Sequence, residues 1–219
     1  MEKEFWVERW EKQQIGFHQA EINRYLQQYW SEISQQQNQR VFVPLCGKSL
    51  DMLWLKQQGH DVLGVEFSEM AVGDFFAENE LEVHRHDRHP FSVWQSSGME
   101  LFCGDFFSLT AEDLADSHLV YDRAALVALP TLSRQQYAGH LARILPGEVR
   151  ILLVTMEYPQ HEMQGPPFSV SEAEVIELFA EHFHVQRLEV FDIYAENPRF
   201  QQKGLSSLVE KVFLLQRGK

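Results

Sequence analysis

From residue 40 to residue 155 the chain alternates compact apolar runs with stretches whose apolar residues recur every three or four positions. Val41-Phe42-Val43-Pro44-Leu45 has strand length and opens into the small-residue turn Cys46-Gly47-Lys48-Ser49. Leu50, Leu53, Trp54 and Leu55 then follow helical spacing to about Gln58, where Gly59 supplies a stop. Residues 61–66 (DVLGVE) predict a second strand that ends on an acid, and Ser68 with Glu69 starts a helix through about Glu80. Strands are further predicted over 99–103, 119–121, 149–155, 185–194 and 208–216, and helices over 133–145 and 171–182. Ahead of this alternation, Phe5, Trp6 and Trp10, then Ile22, Tyr25, Leu26, Tyr29 and Trp30, fall at helical spacing. They predict two amphipathic helices broken at Gly16, followed by the polar connector 35–38.

Strands and helices in this order predict an α/β fold, a doubly wound, mostly parallel sheet of seven strands with helices on both faces. The last two strands are joined by a loop rather than a helix, which predicts an antiparallel hairpin at one edge. Gly165-Pro166-Pro167 reads as a loop and not a boundary. The expected organisation is one domain over 1–219, with an N-terminal helical lid (1–34) and a Rossmann-like core (40–219).

Composition narrows the class. With 219 residues, 44% of them hydrophobic, the chain has material for one core without disulfides or metals. Thirty-two acids against 19 Lys and Arg give a formal charge of −13, which disfavours nucleic acid as a partner while leaving room for a small anionic ligand. No run approaches the roughly 20 apolar residues of a membrane span. Cys46 and Cys103 lie in apolar segments, and the start MEKEFWVERWEKQ resembles neither a secretory signal nor a transit peptide, so a cytoplasmic protein is expected. Without a heptad repeat, a monomer is the default.

In an open α/β sheet, ligands bind beyond the carboxyl ends of the strands, near the point where strand order reverses. The turn after the first strand therefore matters most. Gly47 permits close backbone approach or positive φ there, and the helix that follows presents unpaired N–H groups. Glu66 ends the second strand about 20 residues beyond the turn, where doubly wound enzymes place an acid on ribose hydroxyls. An exposed strand-end acid is the competing reading. The turn lacks the G-x-G-x-x-G dinucleotide fingerprint, and Gly47-Lys48-Ser49 lacks the upstream glycine of a phosphate loop. Arg123 follows the strand over 119–121 at the same rim; it either forks onto a ligand carboxylate or pairs structurally with Asp122. Asp105 and Phe106, after the third strand, stand where an adenine ring would be flanked.

Other features weigh less. The run His84-Arg85-His86-Asp87-Arg88-His89 contains ordinary metal-ligand types but interleaves two cations, and it reads as a solvated polar insertion with no metal. Cys46 has no neighbouring base to make a thiolate, so it reads as a small loop residue rather than a nucleophile. Trp6 and Trp10 lie one helical turn apart and face one way, either as core or as a lid over the site, with a cation–π contact available to a sulfonium. His18 reads as a hydrogen-bonding lid residue.

The stretch Phe42-Val43-Pro44-Leu45-Cys46-Gly47-Lys48 resembles the glycine-loop signature of the thiopurine S-methyltransferase family. Gly59-His60, Gly64-Val65-Glu66, Asp122-Arg123-Ala124-Ala125-Leu126, Phe17-His18-Gln19, Gly165-Pro166-Pro167-Phe168 and the tail 210–215 are similar to it in the same order. The resemblance implies a class I S-adenosylmethionine-dependent methyltransferase fold, and S-adenosylmethionine as cofactor with S-adenosylhomocysteine as product. It implies cofactor contacts at Trp10, Leu45, Glu66 and Arg123 and near Asp105 and Phe106, to which the turn argument adds Gly47. It implies Phe17 against a small thiol substrate and a substrate-facing Arg199, with Arg123 beside it. Direct displacement onto thiolate needs no obligatory general base. The same fold would admit methylation of halide, thiocyanate or selenium and tellurium species, or a non-catalytic ligand-binding module.

Overall fold

The computed structural model describes residues 3–16, 18–34 and 36–218. Each predicted apolar run becomes a strand, and two more join them: β1 (Arg40–Pro44), β2 (Asp61–Glu66), β3 (His84–Arg88), β4 (Phe91–Ser96), β5 (Met99–Cys103), β6 (Leu119–Arg123), β7 (Val149–Glu157), β8 (His184–Asp192) and β9 (Val209–Arg217). They form one sheet in the order β3-β4-β5-β2-β1-β6-β7-β9-β8. The five central strands, β5 to β7 in that order, are mutually parallel, and their neighbours on both flanks are antiparallel.

The sequence pattern predicts seven strands and one antiparallel edge; the described residues form nine strands with an antiparallel flank at each edge. The added pair is β3 and β4, and β3 is the His84–Arg88 run expected to be a polar insertion. All five of its residues are exposed, so it carries no hydrophobic alternation. Two of its cations lie over rings of β4 and β5: the Arg85 guanidinium is 3.7 Å from the Trp94 ring centre and that of Arg88 is 5.1 Å from that of Phe102.

Among the described residues seven α-helices accompany the sheet: α1 (Lys3–Glu11), α2 (Arg24–Ile33), α3 (Asp51–Gln57), α4 (Glu69–Glu78), α5 (Thr131–Ile144), α6 (Glu172–Phe179) and the short α7 (Pro198–Gln202). Helices α2, α3 and α4 bury Leu26, Trp30, Met52 and Phe75 against one face. Helices α5 and α6 bury Tyr137, Leu141, Val175 and Phe179 against the other. The two clusters are the apolar residues of alternate sheet positions, as a parallel centre covered on both sides requires. Side chains close the helix starts: Asn23 accepts from the Tyr25 and Leu26 N–H groups, Ser68 from Ala71 and Ser171 from Glu174. Among the described residues no helix is long and apolar enough to cross a membrane.

This topology fixes where a ligand can bind. From β1 the chain moves outward on one side through β2 to β5, then returns to the other side of β1 as β6 and β7. Strand order therefore reverses between β1 and β6, and their carboxyl ends open onto a crevice. Helix α1 reaches that crevice: a Cβ added to Gly47 would stand 3.1 Å from the Trp10 ring.

Candidate functional site

The crevice is a cleft of about 1140 Å³ whose walls include Trp10, Leu45, Gly47, Glu66, Arg123 and Arg199. Its backbone is unusual at the switch point. Leu45 (φ 45°) and Ala124 (φ 68°) occupy the left-handed region without being glycine, and Gly47 (φ 52°) joins them. Such residues persist only where the surroundings hold them, and here both rims of the crevice are turned sharply away from their strands. The first turn is braced by the Cys46 N–H on the Val65 carbonyl, 3.0 Å. Gly64 in β2 makes room for it, since a Cβ there would lie 2.8 Å from the Cys46 sulfur.

Glu66 is 5% exposed. One carboxylate oxygen accepts from the Gly47 N–H at 3.0 Å and the other from the Ser68 N–H at 2.9 Å. Burial pushes this acid up to about 6 in spite of those hydrogen bonds. The Phe67 N–H is a third donor to it, which leaves about one of the four acceptor positions open, and the residue lines the cleft. A ligand hydroxyl supplies a donor for that position.

Asp122 and Arg123 part company at the end of β6. Asp122 is buried, accepts from the Tyr137 hydroxyl at 2.6 Å and is raised to about 6 by burial, while Arg123 turns to the cleft. The pairing of one with the other is thus not what holds them. Arg199, on α7, donates to the Gly16 carbonyl between α1 and α2, and its guanidinium is lowered by burial and then by the nearby Arg123. Two cations accordingly face one end of the cleft. His18 also lines the cleft, and burial followed by the charge of Lys48 lowers it, which favours the neutral ring.

Other predicted residues stand elsewhere. The Gly104 N–H donates to the Glu66 carbonyl, so Asp105 and Phe106 begin at the same rim, one strand over. They do not line the cleft: the Asp105 carboxylate accepts from the Phe107 N–H and the Phe106 ring stacks on Tyr137 in the core. Phe17 lies outside the described residues. Cys46 is buried, and burial raises its thiol well above the ordinary range, next to the charge of Glu66. Among the described residues no group of three His, Cys, Asp or Glu is placed to hold a metal, the His84–Arg88 strand included.

The sequence reading missed three supports. Lys48 is buried, with its ammonium 2.6 Å from Glu78 and 3.8 Å from Asp74, which ties the glycine turn to α4. Asp51 is buried and accepts from the Asn23 N–H at 2.7 Å and the Tyr121 hydroxyl at 2.9 Å, fixing the start of α2 against β6. Glu210, at the start of β9, lines the cleft. The signal for Lys48 and Asp51 was their place in and after the turn that follows β1; Glu210 opens the tail 210–215 of the family resemblance, but no spacing pointed it at the cleft.

Taken together the walls provide a buried carboxylate held by backbone N–H groups, a turn open to close approach, an aromatic ring and several cations, Arg123 and Arg199 among them. The profile of the Thiopurine S-methyltransferase (TPMT) family matches residues 1–218. A thiopurine S-methyltransferase of Nitrosospira multiformis is 53% identical over 215 residues, covering 98% of each chain. One from Pseudomonas putida is 50% identical over 217 residues, covering 99% of this chain and all of that one. Among solved structures, the 1,6-didemethyltoxoflavin-N1-methyltransferase of Burkholderia thailandensis, crystallised with S-adenosylhomocysteine, superposes with a TM-score of 0.64 at 13% identity, covering 99% of this chain and 87% of that one. A TehB-like methyltransferase of Corynebacterium glutamicum gives a TM-score of 0.58 at 13% identity, covering 98% and 97%. At such identities these two likenesses concern the fold.

Proposed function

The chain belongs to the thiopurine S-methyltransferase family, and from that premise we propose that it methylates the sulfur of small aromatic or heterocyclic thiols with S-adenosylmethionine. The observation that carries the reading is Glu66, a buried carboxylate at the switch point with backbone N–H partners on both oxygens and an acceptor position left for a ribose hydroxyl. S-adenosylmethionine, when bound, supplies a methyl group already activated on a sulfonium.

The chain's own residues bind, orient and enclose. Glu66 takes the ribose, the Leu45–Gly47 turn lets the ligand approach the backbone, and Trp10 covers the turn. Arg123 serves both the cofactor and the acceptor. With Arg199 it makes that end of the cleft cationic, which favours a thiolate over a thiol. Holding the two reactants in line contributes up to roughly 7–11 kcal/mol toward a bimolecular step, so no general base is required. Asp105 and Phe106 are left out of this set because the Asp105 carboxylate and the Phe106 ring are engaged in their own turn and core. Phe17 is assigned to the acceptor on the family resemblance alone. The charge of −13 and the two cysteines outside any disulfide support action as a cytoplasmic monomer without nucleic acid.

The test is methyl transfer from S-adenosylmethionine across aromatic, heterocyclic and aliphatic thiols, alongside calorimetric titration with S-adenosylhomocysteine. Turnover of aromatic or heterocyclic thiols with saturable binding of S-adenosylhomocysteine is expected. Binding without turnover of any thiol would reduce the chain to a ligand-binding module.

A further inference from the structure

Glu66 and the glycine turn occupy one end of the cleft; the other end, over β7 and β9, holds a carboxylate that methyl transfer itself does not use. Glu210 pairs across the sheet with Met156 of β7 and Phe191 of β8. Val154 pairs with Arg123 on one side and Val212 on the other, so Arg123, Val154, Met156 and Glu210 project from the same face. Lys211, next in sequence, projects from the opposite face and pairs with Glu157 at 2.6 Å. Glu210 forms no ion pair among the described residues; its charge acts on the nearby Tyr25 hydroxyl of α2, which accepts from Arg24 at 2.8 Å. The cleft it lines also carries Met156, Ile193 and Phe200, with Arg24 and Lys203 as further cations. A carboxylate offers about four acceptor positions, so one hydroxyl leaves most of them open.

We propose that Glu210 is a specificity residue for the acceptor, taking a hydrogen bond from a ring N–H of a nitrogen-heterocyclic thiol. The inference rests on the methyltransferase reading and adds which thiols are preferred. A carboxylate repels a thiolate, so the sulfur faces Arg123 and Arg199 while the N–H faces Glu210, and the ring enters the cleft in one orientation. A carbocyclic thiol of the same size leaves the carboxylate without that donor. A site built to bond an N–H discriminates against analogues that lack it.

The experiment compares 6-mercaptopurine with 4-nitrothiophenol as acceptors for wild type, Glu210→Gln and Tyr25→Phe, with S-adenosylhomocysteine affinity measured by calorimetry. For Glu210→Gln the ratio of kcat/KM for the purine over the nitrothiophenol falls about tenfold or more, the scale of a hydrogen bond to a charged group, with unchanged S-adenosylhomocysteine affinity. Tyr25→Phe keeps the wild-type ratio. A parallel loss with both thiols, or a Tyr25→Phe enzyme that reproduces the Glu210→Gln ratio, would show that Glu210 only props α2 and overturn the proposal. Wild-type enzyme inactive with both thiols would instead overturn the methyl-transfer reading, and this inference with it.

Discussion

At Gly47 two constraints meet, a φ of 52° and a ring 3.1 Å from where a Cβ would stand. Gly47→Ala therefore adds left-handed strain of about 1–2 kcal/mol and must also displace Trp10. Thermal unfolding should report the first effect, and weakened S-adenosylhomocysteine binding the second; an alanine variant equal to wild type in both would remove the turn from the site. Glu66 carries a pH signature of opposite sign in folding and in binding. Burial lifts it from 4.5 to about 6, so stability from this group is fullest below 4.5 and is lost, by about 2 kcal/mol, as pH rises through 6. Hydroxyl donors favour the ionised form, so cofactor affinity should rise with pH through 6, with proton release on binding. Calorimetry at pH 6 in two buffers of different ionisation enthalpy measures that release, and none would mean that Glu66 does not meet the ligand. Leu45, Gly47, Glu66 and Arg123 were legible in the sequence because each ends a strand at the switch point, where position alone assigns a direction. The supporting roles of Lys48 and Asp51 were not, since their partners lie between 28 and 70 residues away.

Between elements, the contact that most depends on one side chain is the seat of α2 on the edge of the β1–β2 layer. The Trp30 indole N–H donates to His60 Nε2 at 3.1 Å, and His60 Nδ1 donates to the Gln39 carbonyl at 3.2 Å, so the ring is held neutral. Burial lowers His60 below its usual 6.5. Stability from this seat is thus present above about 6.5 and lost as pH falls below it, because protonation turns the acceptor nitrogen into a second donor. Urea unfolding at pH 7.5 and 5.5 should show a smaller pH loss for His60→Gln than for wild type; equal losses would assign the effect to other groups. Element placement was otherwise the most legible level. Helices α2 to α6 and the seven predicted strands lie where periodicity put them, because each buries a continuous apolar stripe. Strand β3 escaped detection because an edge strand with both faces wet needs no stripe, and α7 because five residues make little more than one turn.

Across the whole molecule the question is what keeps the N-terminal segment over the cleft. Three contacts bear on it, and their magnitudes differ. Arg24 pairs with Glu196 at 3.0 Å, but the side chains are 51% and 60% exposed, so the pair contributes under about 1 kcal/mol. Arg199 reaches the Gly16 carbonyl from α7, a charge-assisted hydrogen bond that salt and solvent weaken at its exposed rim. Trp10 is 3% exposed against the glycine turn, and removing a buried indole typically costs about 3–5 kcal/mol. The indole therefore dominates. Trp10→Ala should release α1, seen as faster amide exchange over residues 3–16, while the amides of β1, β6 and β7 keep their protection and S-adenosylhomocysteine affinity falls at least tenfold. Arg24→Ala should change neither. If Arg24→Ala opened the segment as far as Trp10→Ala does, the cover would be held electrostatically, and raising the salt concentration alone should then open it in the wild-type chain; if packing holds it, exchange over α1 stays nearly flat with salt.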